Sequence, residues 1–205
     1  MKAYCALLMS LCMPTIYAAD SQSEAQSSFD IGSIAIELLQ QHPEHIDTLC
    51  KMWHETGGYK GYPNFEDVKA PYTKVLEDQM KADELPLALI ALSEGKPIGL
   101  CALRPSCIPR AGAVPWSDEN PDKKPWFAIF VATAYQKSGV GTKLFLATAR
   151  YAQNKFGYTK AFVVPEDEGV EALYMRKGCI KIADTTLRGK PAPVLEIDFS
   201  NAIGL

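Results

Sequence analysis

The stretch AYQKSGVGTKLF, Ala134 to Phe145, sets Gly139 and Gly141 between an apolar run and a helix-patterned run. Glycines let a backbone approach a ligand closely, and the unpaired N–H groups at a helix start point at an anion. Strand, glycine loop and helix start together therefore make a phosphate site. A nucleoside-triphosphate loop needs Gly-Lys followed by Ser or Thr; the order here is Gly141-Thr142-Lys143, so that reading fails. A dinucleotide loop needs a third glycine three residues past Gly141, where Leu144 stands.

The elements that must position this loop follow from periodicity. Ile34 to Gln41 begins with strand-like alternation. PEHIDTLCKMWHE carries Ile46, Leu49, Cys50 and Trp53 at helical spacing, and Gly57 and Gly58 stop it. Asn64 caps a second helix whose Phe65, Val68, Tyr72, Val75, Leu76 and Met80 face a core, and Pro71 is expected to break or bend it. LPLALIALSEGKPIGLCALRP reads as a hairpin turning at Ser93-Glu94-Gly95-Lys96. Pro105 to Pro125 has five prolines and no period; it is either a functional loop or a decorative insertion. PWFAIFVAT is an uninterrupted apolar strand, expected to be buried on both faces. Val140 to Phe156 is helical, with Phe145, Ala149, Ala152 and Phe156 on one stripe and Leu144 beside it. KAFVV is a short strand, EDEGVEALYMRKG a helix ending at Gly178, and CIKIADTTL and APVLEIDFS are closing strands. Hairpins together with a strand–helix–strand crossover predict a mixed sheet with helices packed on it.

A chain of 205 residues suits one domain plus an appendage. Apolar residues make up 47% and charged residues 22%, ordinary globular values. The net charge of -3 argues against a general nucleic-acid binder, which needs a basic face. Residues 1–18 follow the pattern of a secretory signal, with Lys2, an apolar run and a small residue, Ala18, before the cut. Export makes the protein secreted or periplasmic. A retained anchor, or a misassigned start with a cytoplasmic chain beginning at Met13, are the other readings. Residues 19–32 read as a polar linker and 33–200 as the folded domain. Of the cysteines past the leader, Cys50, Cys101, Cys107 and Cys179, buried thiols are the expectation; export would allow a Cys101–Cys107 bridge. His42, His45 and His54 are expected at solvated helix positions, with no metal site.

The spacing Gln136-x-x-Gly139-x-Gly141 resembles the Q/R-x-x-G-x-G/A signature of the GNAT acetyltransferase superfamily. The context extends it: FVATAYQKSGVGTKLF, a helix, KAFVV, then VEALYMRKGC are similar to the family's V-x-P-x-[YF]-[RQ]-x-x-G-x-G-x-x-L and A-x-x-[LF]-Y-x-x-x-G-F. The resemblance runs from about Ile34 to Phe199. Thr133 stands at the common proline, Cys179 at an aromatic, Val170 at an alanine, and Asp167 where an asparagine often faces the cofactor.

The resemblance implies an α/β fold of the α+β kind: a mixed, mostly antiparallel central sheet of about seven strands with flanking helices. It implies acetyl-CoA as acyl donor and no metal. The pyrophosphate would lie on Ser138, Gly139, Val140, Gly141 and Thr142, with Gln136 in the signature and Lys137 and Lys143 either adding charge or simply solvated. The pantetheine would run along Ile129, Phe130 and Val131, where an N–H near Phe130 or Val131 could polarise the carbonyl. Tyr174 matches the tyrosine that returns a proton to the leaving sulfur; a plain core tyrosine is the alternative. WFAIFVAT holds no acid or histidine, so a base would come from Glu55, Asp118, Glu119, a water chain, or an amine that arrives neutral. The acceptor would be an amine, on a small molecule or on a protein or peptide, acted on by a monomer or homodimer without nucleic acid or a stable membrane span. A non-catalytic acyl-CoA-binding module is the alternative function.

Overall fold

Strand-forming runs alternate side chains between two faces, and here both faces find helices to cover them. The computed structural model describes residues 30–56, 64–105, 125–187 and 189–200. Its strands are β1 (Ala35–Leu38), β2 (Leu87–Ser93), β3 (Lys96–Arg104), β4 (Trp126–Val131), β5 (Lys160–Val163), β6 (Ile180–Leu187) and β7 (Lys190–Asp198). They form one sheet of seven strands in the order β1-β2-β3-β4-β5-β7-β6. Every neighbouring pair is antiparallel except β4 and β5. The β2–β3 hairpin turns through Glu94 and Gly95 at φ 49° and 74°, the positive values that match a two-residue loop to strand twist.

The helices are α1 (Ile46–Glu55), α2 (Glu66–Glu77), α3 (Val140–Phe156) and α4 (Glu168–Arg176). Alternation along β2 sorts the core in two. Ala88, Ile90 and Leu92 pack with Leu49, Trp53, Val68, Tyr72 and Leu76 of α1 and α2. Leu87, Leu89 and Ala91 pack with Val140, Leu144, Ala149 and Ala152 of α3 and with Tyr174 of α4. Trp53 stacks on Tyr72 at 4.4 Å and on Phe130 of β4 at 6.0 Å between ring centroids. Each such pair adds about 0.5–1.5 kcal/mol beyond its buried area. Just past α2, the Gln79 amide, oriented with its oxygen toward β3, accepts from Arg104 Nη2 and Nε at 2.7 and 3.0 Å and ties the buried end of β3 to the segment after α2.

Two local expectations change. Helix α2 runs through Pro71 without ending. The proline removes one main-chain bond, but Val68, Tyr72 and Leu76 remain fully packed on either side of it, and that burial outweighs the loss. The first strand stops at Leu38, because Leu39–Gln41 and Pro43–His45 wind into 3-10 turns before α1.

The leader, the linker up to Phe29, Gly57, Gly58, Cys107, Asp118, Glu119 and the interior of the Pro105–Pro125 segment lie outside the described residues. Cys101 carries a free thiol buried on β3. Burial pushes that thiol up to about 12, against a hydrogen bond from Thr148 that acts in the other direction. Among the described residues, no helix is long and apolar enough to cross a membrane.

Candidate active site

A gap in the sheet makes the site. Strand β4 pairs with β3 along its whole length, but it meets β5 only at Trp126↔Phe162. Past that point the two strands part. Trp126 and Phe127 are buried, whereas Ala128 to Val131 are half-buried. The expected burial of this strand on both faces therefore fails over its second half, for a topological reason: the neighbouring strand has left. The freed edge is a row of main-chain groups, an open template for an extended ligand. Ala132 N–H donates to Ile98 O at 2.9 Å, and on the other side Phe162 N–H donates to Pro125 O at 2.9 Å. Strand alternation then turns the main-chain groups of Phe130 toward β3 and those of Ile129 and Val131 toward the gap. Of the two N–H groups expected near the carbonyl, Val131 faces the gap and Phe130 does not. The Phe130 side chain goes instead to the α1–α2 face, against Trp53.

The glycine loop closes the C-terminal end of β4. Gln136 Nε2 donates back to Val131 O at 3.2 Å, and Ser138 Oγ donates to Tyr135 O at 2.6 Å, so both polar side chains shape the turn. Lys137 and Gly139 take positive φ, 62° and 93°. Lys143 N–H to Gly139 O, at 3.0 Å, is the first bond of α3. The N–H groups of Val140, Gly141 and Thr142 precede it, and helix geometry provides them no partner within the helix. A Cβ added at Gly141 would meet only Val131 Cγ2, at 3.6 Å, an ordinary contact. Nothing inside the protein requires a glycine there; bare backbone at that point leaves room for an incoming anion. The loop and the positive end of the 17-residue helix α3 fit a pyrophosphate.

Lys137 is exposed beside this loop. Lys143 is not free: its Nζ donates to Ile31 O and Ile34 O at 2.8 and 2.7 Å. Asp167 begins α4, where its Oδ1 accepts from Val170 N–H at 2.9 Å. That carboxylate serves as a helix cap, a role the common asparagine performs equally well.

Tyr174 projects from α4 into the core beneath α3 and is 9% exposed. Burial raises its hydroxyl pKa above the ordinary value of 10.0, and Cys101 and then Cys179 act in the same direction. Cys101 is the register partner of Ile129 and shares a core cluster with Tyr174, so Tyr174 lies on the sheet face that carries the side chains of Cys101 and Ile129. The loop and Tyr174, 35 residues apart in sequence counted from Gly139, are thus brought to the same face of the sheet.

The α1–α2 side holds what the sequence did not single out. His54 packs its ring against Phe65 and Tyr72 at 5.7 and 6.3 Å, and its buried Nδ1 finds no hydrogen-bond partner among the described residues. The expected solvated position is corrected: His54 follows Cys50 by four residues, which places it on the flank of the buried stripe. Glu55 is exposed at the end of α1.

His42 and His45 are also drawn in. His42 Nε2 bonds Glu37, and its Nδ1 lies 3.2 Å from Glu44 Oε1. His42, Glu44 and His45 bring one ligand atom each within 4.8 Å of the others. The two rings stack at 5.6 Å and 12°. The hydrogen bond to Glu37 is the main cause of a raised His42 pKa, burial opposes it, and Glu44 adds to it. A raised folded-state pKa gives stability that is complete below the ordinary value of 6.5 and is lost as pH rises through the folded value. Replacing His42 with asparagine is expected to cost up to about 1 kcal/mol in acid and less at pH 8.5, the scale of a largely solvated pair. Thermal unfolding of both proteins across that range checks this; a gap that widens with pH would overturn it.

The wider family is now identifiable. Residues 52–179 match the model of the Acetyltransferase (GNAT) family. No curated protein matches the sequence. Among solved structures, the aminoglycoside acetyltransferase AAC(6')-Ib in complex with coenzyme A and kanamycin is 21% identical, with 82% of this chain and 96% of that chain covered and a TM-score of 0.60. A chimera of the spermidine N-acetyltransferase SpeG from Vibrio cholerae and hSSAT is 13% identical, covering 84% and 99%, at a TM-score of 0.58. YncA, a putative acetyltransferase from Salmonella typhimurium solved with acetyl-CoA, is 11% identical, covering 82% and 94%, at 0.55. These share the mixed, mostly antiparallel fold. With a family match over well more than half of its length, the chain belongs to the GNAT acetyltransferase family and is an acyltransferase.

Proposed function

We propose that this chain is an N-acetyltransferase that moves an acetyl group from acetyl-CoA to a primary amine by direct attack on the thioester. The observation that carries the reading is the parted β4–β5 edge, which ends at the glycine loop at the start of α3. The amine nitrogen bonds to the carbonyl carbon and the carbon–sulfur bond breaks. The sulfur takes a proton from the Tyr174 hydroxyl, and the amine gives one up to water or a base. The gap-facing N–H groups of Ile129 and Val131 polarise the carbonyl oxygen in this reading. Ser138 to Thr142 receive the pyrophosphate, with Lys137 beside them. The named acceptors of the structural relatives, an aminoglycoside and spermidine, support a small-molecule amine.

A second reading, an acyl-CoA-binding module without catalysis, is favoured by one observation: β4, WFAIFV, has no acid or histidine on it. Calorimetry with acetyl-CoA, then thiol release over an amine panel that includes spermidine and kanamycin, separates the two. Release with any amine is the expected result. Binding without release leaves the module, and absence of binding removes both.

A further inference from the structure

The turn that precedes β1 lies on the glycine loop. Ile31–Ser33 form a single 3-10 turn. Asp30 closes its start: Oδ1 accepts from Gly32 N–H at 2.7 Å, and Asp30 O accepts from Ser33 Oγ and N–H at 2.8 and 3.1 Å. Lys143, in the first turn of α3, closes its end. Its ammonium donates to Ile34 O at 2.7 Å, Ile31 O at 2.8 Å and, more weakly, Gly32 O at 3.5 Å. Ile31 remains 38% exposed, yet a Cβ placed on Gly139 would sit only 2.7 Å from Ile31 Cδ1. One polar and one apolar contact thus fasten this turn to the loop, across 109 residues or more of sequence on the polar side.

An ammonium has three protons to donate, and here main-chain carbonyls of one short segment take them. None of those partners is a carboxylate, and the Asp30 carboxylate of the same turn bonds Gly32 N–H, so the positive charge is held in place by main-chain carbonyls. It stands one turn into α3 and reinforces the positive end of that helix. The geometry points to Asp30–Ile34 as a brace for the donor site. Through Lys143 and Ile31 it holds the glycine loop in the form that receives the pyrophosphate, and Lys143 is a positioning residue for the donor. This rests on the acetyl-CoA reading above. Coupling between two sites is reciprocal, so a brace that favours donor binding is itself ordered by the donor.

Hydrogen exchange of peptides covering Asp30–Ile34, measured on the full chain with and without coenzyme A, tests this together with calorimetry on Lys143→Met and Ile31→Ala. Coenzyme A is expected to slow exchange in these peptides. Lys143→Met should weaken coenzyme A about tenfold and abolish the slowing even at saturation, the scale of one fixed charge at a helix end. It should leave kcat at saturating donor unchanged, and Lys143→Arg should restore part of the affinity. Ile31→Ala removes only the apolar contact, and it carries the test if Lys143→Met does not fold. Bound coenzyme A with unchanged exchange, or unchanged affinity in both variants, overturns the brace and leaves the donor reading standing. Absence of coenzyme A binding to the unmodified chain removes the donor reading and the brace with it.

Discussion

Tyr174→Phe is expected to lower kcat by about a hundredfold, the lower end of what a positioned proton donor supplies. The phenyl ring keeps its place in the core beneath α3, so folding and coenzyme A affinity are expected to stay close to those of the parent. A loss confined to kcat would identify an interaction made on the way to the transition state. Because burial raises the hydroxyl pKa, Tyr174 stays protonated across the working range, and it sets no alkaline limb in the pH profile. Thiol release at saturating acetyl-CoA, paired with calorimetry, measures both halves. An unchanged kcat would assign Tyr174 to packing alone.

Gly139→Val is expected to abolish most donor binding. The residue sits at φ 93°, a left-handed conformation that β-branched side chains resist, and its new Cβ would lie 2.7 Å from Ile31 Cδ1. Strain of this kind costs about 1–3 kcal/mol, and the loop relieves it by leaving the shape that presents its N–H groups. Coenzyme A affinity should then fall by about ten- to a hundredfold. Gly141→Ala is the matched comparison. The protein has room for that methyl group, so its unfolding midpoint should not move, and any lost affinity reports the ligand's side of the contact. Equal affinities in Gly139→Val and the parent would show that the donor does not use this loop.

The candidate site was legible where it is local. Gln136, Gly139 and Gly141 stand close together and resemble the GNAT signature, and the same resemblance singles out Tyr174. The order of strands and helices was equally legible, because each element carries its own period. What stayed hidden depends on distant partners. WFAIFV reads as a buried strand since all its residues are apolar, and only the departure of β5 after Phe162 uncovers its second half. Lys143 reads as either a charge beside the phosphates or a solvated lysine until the carbonyls of Ile31 and Ile34 arrive from the other end of the chain. Pro71 reads as a helix breaker, because the burial of Tyr72 and Leu76 that overrides it belongs to the tertiary structure. His54 follows the same rule: its aromatic neighbours Phe65 and Tyr72 belong to a different helix.

The single parallel bridge at Trp126↔Phe162 also bears on how the chain acquires its structure. Strands β1 to β4 pair with their neighbours in sequence order, whereas β5, β7 and β6 build a separate antiparallel block around the β6–β7 hairpin. The β2–β3 and β6–β7 hairpins are the local contacts, the kind that form early because little loop entropy is lost, whereas β1–β2 and β5–β7 close long loops. A shared core that includes Leu89, Phe127, Ala161 and Leu195 holds the blocks together. Main-chain pairing between them is confined to the one bridge, so the sheet is expected to open there at the lowest cost. The proposed donor edge and the weakest line of the sheet then coincide, between Trp126 and Val131.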